Sequence, residues 1–281
     1  MKLEQRIAIS LVRTRLGMLG LFSRKKAAEK AFQLFCTPQR KAHKKSAPVF
    51  EHAERVSLNV NSTKVVGYRW NHHQGSKKCL VVHGFESSSK NFDRYISLMI
   101  DKGYEVLAFD APAHGESEGK QINVLVYKQM LEDIYTTFGP VDACIAHSFG
   151  GLAISLALES LSPENKIRLV LIAPATETSS SVDLLFDILQ LNGGIREEFD
   201  RLIVELGKRP ITWYSISRAL DHIKGDVLWI HDEDDNVTPF KDVKPIIEKK
   251  PAHVKFFITK GWGHRRIYRE DKVVEAVTSF L

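Results

Sequence analysis

Ile145-Ala146-His147-Ser148-Phe149-Gly150-Gly151 is the stretch on which the reading turns. It closes an apolar run, Val141 to Ile145, and opens another, Leu152-Ala153-Ile154-Ser155-Leu156-Ala157-Leu158. A buried strand that ends in a serine and passes at once into an apolar helix presents that serine at the edge of a sheet. The turn crowds the residues two before and two after the serine, so both must be small, as Ala146 and Gly150 are. A serine hydroxyl is a weak nucleophile until a base takes its proton. The backbone N–H of Phe149, at the helix start, points where a developing oxyanion would sit. Ser148 is therefore a candidate nucleophile, and an ordinary strand-to-helix turn is the alternative.

Working outward, short apolar runs recur without polar alternation: Cys79 to Val82, Glu105 to Phe109, Val141 to Ala146, Arg168 to Ile172, Asp226 to Ile230 and Val254 to Ile258. Such runs suit a parallel sheet covered on both faces. Helical patterns fall between them, over Asn91–Lys102, Val124–Phe138, Gly150–Leu161, Lys241–Lys249 and Lys272–Leu281. Ser57 to Trp70 alternates like two antiparallel strands turning at Asn61-Ser62. The expectation is a doubly wound, mostly parallel α/β sheet with an antiparallel N-terminal edge. Residues 177–224 break the rhythm. Val182–Leu191 and Ile195–Leu206 read as amphipathic helices split by Asn192-Gly193-Gly194, with a third around Trp213–Leu220. An insertion of that size at the strand ends reads as a small helical cap, a lid over a site. Its apolar residues Leu184, Leu185, Phe186, Ile188, Leu189 and Trp213 either line an acyl pocket or pack the cap, and packing is the preferred use for most of them.

A nucleophilic serine needs a base and an orienting acid, and on this architecture they follow it in the order acid, then histidine. After Val227-Leu228-Trp229-Ile230 comes a cluster holding Asp232, Asp234 and Asp235, any of which is a candidate acid. After Phe256-Phe257-Ile258 comes Lys260-Gly261-Trp262-Gly263-His264, whose glycines let a loop carry the imidazole of His264 across to Ser148. Each candidate lies just past the C-terminal end of a strand, where open α/β sheets place their sites. The strand-end histidines His83, His114, His147 and His231 read as hydrogen-bonded structural residues.

These pieces in this order resemble the α/β-hydrolase superfamily from about residue 55 to the end. The resemblance is carried by His83-Gly84-Phe85, by Asp110-Ala111-Pro112-Ala113-His114-Gly115-Glu116-Ser117, by the turn at Ser148, by Asp235-Asn236-Val237-Thr238-Pro239, and by Gly263-His264. It implies Asp235 as the acid, four residues before the proline, and Phe85 as the second oxyanion N–H beside that of Phe149. It places the 177–224 insertion where relatives carry helical caps. The second piece usually has glycine where Ala113 stands, and the turn usually has glycine where Ala146 stands; alanine is small enough at both. The implied activity is a serine hydrolase acting on an ester-type bond through an acyl-enzyme, without metal or organic cofactor. Acyl transfer by the same three residues and a catalytically idle binding protein on the same scaffold are the alternatives.

Composition bounds the rest. With 281 residues and 43% hydrophobic content the chain can bury one large α/β core. Asp232-x-Asp234-x-Asn236 mimics the start of a calcium loop, but Val237 and Val243 stand where glycine and glutamate are required, so no metal is expected. Cys36, Cys79 and Cys144 have neither metal-ligand nor redox spacing and read as buried thiols in a reducing, cytoplasmic setting. Residues 1–45 hold twelve Lys or Arg against two Glu, a net +10 of the chain's +6, which leaves −4 for the remainder. The main domain therefore offers no basic stripe for nucleic acid. The expected organisation is a basic helical arm over 1–50, a hydrolase domain over 51–281 and the cap within it. No sequence feature sets an oligomeric state.

In the arm, the apolar segments Ile7–Val12 and Leu16–Phe22 are split by Arg13 and Arg15 and make a poor secretion signal. On a helical wheel Leu3, Ile7, Ala8, Leu11, Val12, Met18, Leu19, Leu21 and Phe22 share one half, with Lys2, Arg6 and Arg13 opposite and Glu4 and Arg15 as exceptions. Ser23 is placed to cap a second helix, Arg24–Phe35, ended by Pro38, and Arg40-Lys41 and Lys44-Lys45 extend the charge. Two uses of the apolar stripe compete: packing on the hydrolase domain or cap, which is preferred, and peripheral contact with an anionic membrane.

Overall fold

The computed structural model describes residues 3–39, 46–161 and 166–281, with the backbone alone for residues 3–5. Lys2, Arg40-Lys41 and Lys44-Lys45 lie outside the described residues, as do the side chains of Leu3 and Glu4. In chain order the strands are β1 (Glu54–Val60), β2 (Thr63–Trp70), β3 (Lys78–Val82), β4 (Glu105–Phe109), β5 (Ala143–His147), β6 (Arg168–Ile172), β7 (Val227–Asp232) and β8 (Val254–Thr259). The helices are α1 (Leu3–Phe22), α2 (Arg24–Phe35), α3 (Asp93–Asp101), α4 (Val124–Phe138), α5 (Phe149–Leu161), α6 (Thr178–Leu189), α7 (Gly193–Gly207), α8 (Ile216–Ala219), α9 (Lys244–Lys249), α10 (Gly263–Arg266) and α11 (Asp271–Phe280). Two compact units hold them: Met1–Thr37 with Glu177–Tyr214, and Pro38–Thr176 with Ser215–Leu281.

The larger unit is built on one eight-stranded sheet in the order β1-β2-β4-β3-β5-β6-β7-β8. β1, β2 and β4 pair antiparallel, and every pairing from β4 through β3 to β8 is parallel. β4 and β5 are buried at all five positions, whereas β1 at the edge is mostly exposed. That is the contrast expected between central strands covered on both faces and a solvated antiparallel edge. The register sets β5 one residue beyond β3: Val82 pairs with Ala146, and His147 pairs with Ile172 of β6. Ser148 is thereby lifted to the C-terminal rim beside the ends of β6, β7 and β8.

The expected helix over Asn91–Lys102 divides into a 3-10 turn, Ser89–Phe92, and α3, and that over Lys241–Lys249 divides into Phe240–Asp242 and α9. In the second case Pro245 sits in the first turn of α9, where a missing N–H is harmless. Around Trp213–Leu220 there is no single helix. A 3-10 turn, Ile211–Trp213, falls in the smaller unit, and α8 falls in the larger.

Among the described residues, the elements of the smaller unit are helical. Phe199 of α7 is fully buried at its centre, meeting Phe32 and Phe35 of α2 and Phe186 of α6 edge to face, with centroids 5.6, 6.2 and 5.4 Å away. The buried residues of α2 are all alanines, Ala27, Ala28 and Ala31, and small side chains let two helices approach closely. Ser23 caps α2 by accepting from the Lys26 N–H. α1 departs from expectation. Its buried positions are Leu16 and Gly20, where a Cβ on Gly20 would lie 2.7 Å from Ile195 Cδ1. Ile7, Leu11, Met18, Leu21 and Phe22, the stripe expected to pack, are all exposed. Small size decides which face of α1 approaches its neighbours.

Candidate active site

Ser148 sits between β5 and α5 with φ +54°, a left-handed conformation that costs a non-glycine residue about 1–3 kcal/mol. Neighbouring backbone holds it there. Its N–H donates to Ile172 O at 3.1 Å, and its carbonyl accepts from Gly151 and Ala175 at 2.9 and 3.0 Å. A side chain cannot fit at Gly150, because its Cβ would lie 2.4 Å from His83 O. At Gly84 a Cβ would stand 2.9 Å from Ser148 Cβ, so glycine is what lets the His83-Gly84-Phe85 turn close on the serine.

His264 joins the three expected residues. Its Nε2 is 2.9 Å from Ser148 Oγ, and its Nδ1 is 2.8 Å from Asp235 Oδ2. All three are buried. The Asp235 Oδ1 accepts the N–H groups of Val237 and Thr238 at 2.8 and 2.9 Å. Burial alone would raise the Asp235 carboxyl. The hydrogen bond and charge of His264, with those two N–H groups, outweigh it and leave the group below the ordinary carboxylate range. His264 arrives on a short helix, α10, rather than on the loop expected, with Gly261 and Gly263 both at positive φ in the turn that delivers it.

The other two carboxylates are elsewhere. Asp232 Oδ1 accepts from the Asp234 N–H, and its Oδ2 accepts from Thr259 Oγ and the Trp262 N–H. It ties β7 to the turn before His264 and stays clear of the imidazole. Asp234 is exposed.

Phe149 is the first residue of α5, so its N–H is one of those that a helix leaves without an intrahelical acceptor. The Phe85 ring meets the Phe149 ring edge to face at 6.0 Å. The Phe85 turn is fixed by histidines. His83 Nδ1 donates to Gly84 O at 2.7 Å while its Nε2 accepts from the Ala111 N–H at 2.9 Å. His114 Nε2 accepts from the Glu86 N–H at 3.0 Å, and His231 Nε2 donates to Thr238 O at 2.7 Å. These rings act as crosslinks between strand-end turns. Burial lowers the pKa of both His83 and His231. Ala113, where glycine is usual, has φ +67°, so its cost there is conformational rather than one of size.

One contributor, Thr238, escaped sequence reasoning. The Thr238 hydroxyl lies 2.8 Å from Asp235 Oδ2 and 3.1 Å from His264 Nδ1, bracing the contact between them. Its signal was a hydroxyl three residues after a carboxylate, the pattern of a turn whose side chain bonds its own backbone. The His147 ring packs at a tilt against the rings of His264 and Tyr268, with centroids 4.9 and 4.7 Å away, and its Nε2 donates to His264 O at 3.2 Å. Burial first, and then the neighbouring His264, push its pKa down to about 3. Among the described residues no group of three or more His, Cys, Asp or Glu is placed to hold a metal ion. Cys36, Cys79 and Cys144 are free and buried, and burial pushes the thiols of Cys36 and Cys144 up to about 12.

The chain has the α/β-hydrolase fold. Residues 73–207 match the serine aminopeptidase S33 family model. The chain is 24% identical to the uncharacterized protein YqkD of Bacillus subtilis, over 79% of this chain and 77% of that one. It is 29% identical to a putative esterase/lipase of Mycoplasma genitalium, over 66% of this chain and 81% of that one. Among solved structures it superposes on the Pyrococcus furiosus esterase Pf2001 with a TM-score of 0.61 at 21% identity, covering 88% of this chain and 97% of the esterase.

Proposed function

We propose that this protein is a serine hydrolase that cleaves a carboxylester or thioester through an acyl-enzyme. The observation that carries the reading is the unbroken chain Ser148 Oγ–His264–Asp235, with both contacts inside 3.0 Å on a buried rim. His264 Nε2 takes the serine proton as Oγ attacks the acyl carbonyl. Asp235 accepts the Nδ1–H, which holds the imidazole in the tautomer whose Nε2 is free to accept, and stabilises the imidazolium that forms. The depressed pKa of Asp235 supports this role, since the group is then ionised at neutral pH. The N–H groups of Phe85 and Phe149 receive the oxyanion. His264 next protonates the leaving alcohol or thiol, and the same base activates the water that releases the acyl group. None of these steps calls for a metal or an organic cofactor. The esterase/lipase names of the relatives favour an ester over a peptide substrate.

The test is hydrolysis of p-nitrophenyl esters of increasing acyl length by the wild type and by Ser148→Ala, with an aminoacyl p-nitroanilide as the amide comparison. The proposal expects ester turnover that Ser148→Ala abolishes. Retention of more than about a thousandth of the rate would remove Ser148 from its role. Faster cleavage of the anilide would overturn the ester preference. If an added alcohol captures most of the acyl group, the enzyme is an acyltransferase.

A further inference from the structure

α1 is apolar on two opposite faces, and only one of them has a partner. The buried positions Leu16 and Gly20 face away from a second stripe formed by Ile7, Leu11, Met18 and Phe22. At 100° per residue these four fall within about 60° of one another, centred roughly opposite the buried face. Their exposures run from 53% at Ile7 to 90% at Phe22, and Leu21 beside them is 83% exposed. Leu184 and Ile188 of α6 are exposed as well, and α6 is held to α1 by a hydrogen bond from Arg13 Nη2 to Ile188 O. A run of large apolar side chains left in water on one helix marks a docking surface.

Charge says what docks there. The stripe is flanked by exposed Arg15, and Phe22 is followed within four residues by exposed Arg24, Lys25 and Lys26. The first 45 residues carry a net +10 in a chain whose remainder is −4. A second copy of this helix would bring two such arms together in mutual repulsion. An anionic lipid surface neutralises them while its acyl boundary takes up the apolar stripe. No helix among the described residues is long and apolar enough to cross a membrane, so the contact is interfacial. We infer that the outer face of α1 is a peripheral membrane anchor that lies along anionic lipid headgroups through Ile7, Leu11, Met18 and Phe22, with the neighbouring basic residues supplying the attraction. The smaller unit thus divides the labour of the arm: α2 packs and α1 docks.

The experiment is co-sedimentation of the full-length protein with vesicles of phosphatidylcholine containing about one-third phosphatidylglycerol, and with phosphatidylcholine alone. The variants are Leu11→Glu/Met18→Glu/Phe22→Glu and Lys25→Gln/Lys26→Gln. All of these side chains are exposed, so melting temperature should not change. Binding to the anionic vesicles is expected, weakened by at least about tenfold in the apolar variant. It should also be weaker in the lysine variant and fall as salt rises. The Ser148→Ala protein should bind like the wild type, which keeps this test separate from the catalytic reading. Three results would overturn the inference: no binding to anionic vesicles at low salt, equal binding by the apolar variant, or a wild-type dimer that this variant dissolves while neither protein binds vesicles.

Discussion

Asp235→Asn is a substitution whose outcome the geometry dictates atom by atom. Asp235 uses Oδ1 for the N–H groups of Val237 and Thr238 and turns Oδ2 to His264 Nδ1 at 2.8 Å. In the asparagine variant those two donors keep the amide oxygen in the Oδ1 place. The amide nitrogen must then occupy the Oδ2 place and donate to Nδ1. The imidazole proton moves to Nε2, the atom that has to accept from Ser148. A carboxylate that stabilises the imidazolium is lost in the same step. Such a tautomer reversal lowers kcat by about 10³–10⁴, or about 4–5.5 kcal/mol at 1.36 kcal/mol per decade. The side chain keeps its shape and both backbone donors, so the melting temperature should move little. Asp232→Asn is the control. Asp232 accepts from Thr259, Asp234 and Trp262 and does not touch the imidazole, so it should lower stability by about 1–3 kcal/mol and kcat less than about tenfold. The assay is steady-state hydrolysis of an activated ester by both variants, with thermal melts alongside. Should Asp232→Asn prove more damaging to kcat than Asp235→Asn, the acid has been assigned to the wrong carboxylate.

Two further outcomes follow from buried groups. His147 has its pKa lowered from 6.5 to about 3 in the fold, so on acidification the unfolded chain takes up this proton first. Stability present above the unfolded value is then lost progressively as pH falls from about 6.5 towards about 3, and the loss at pH 5 is about 2 kcal/mol from this residue alone. His83 and His231, also lowered by burial, add in the same direction. Urea melts at neutral pH and pH 5 should show the decline, and in His147→Asn the slope against pH should fall by about one proton; an unchanged slope would refute a buried neutral His147. In the smaller unit, Phe199→Ala should remove about 3–5 kcal/mol, because the ring meets Phe32, Phe35 and Phe186 at once. Hydrogen exchange should then accelerate over residues 24–35 and 178–207, and unaltered protection there would mean that α2 draws its stability from elsewhere.

Where a local signal and the tertiary environment agreed, the sequence was legible to the residue. α4 runs from Val124 to Phe138 as expected, because Asn123 caps it and Gly139-Pro140 ends it. β6 is bounded where its apolar run is bounded. β5 was expected to start at Val141. Its ladder begins at Ala143, Asp142 before it holding Lys78 through both its backbone N–H and its side chain, and it extends to His147, which pairs with Ile172. Ser148 and His264 were legible because the order of strands fixes the order of strand ends, whereas the choice of Asp235 among the three carboxylates after β7 rested on the resemblance to the α/β hydrolases. The part of Thr238 was not legible, since it depends on distances across loops that no local pattern encodes. The arm was half legible. The wheel found an apolar stripe on α1, but it weighs side chains by polarity and ignores how closely a glycine such as Gly20 lets two helices approach.

The central claim is that Ser148 is a nucleophile activated by His264. Reaction with a fluorophosphonate probe, followed by mass spectrometry of the digested protein, tests it most directly, because the probe phosphonylates a serine, with loss of fluoride, only when a base has made its oxygen reactive. The account predicts a single adduct, on the peptide that contains Ser148, absent from Ser148→Ala and formed far more slowly in Asp235→Asn. An unlabelled protein, or one labelled on another residue while Ser148 stays free, would contradict it.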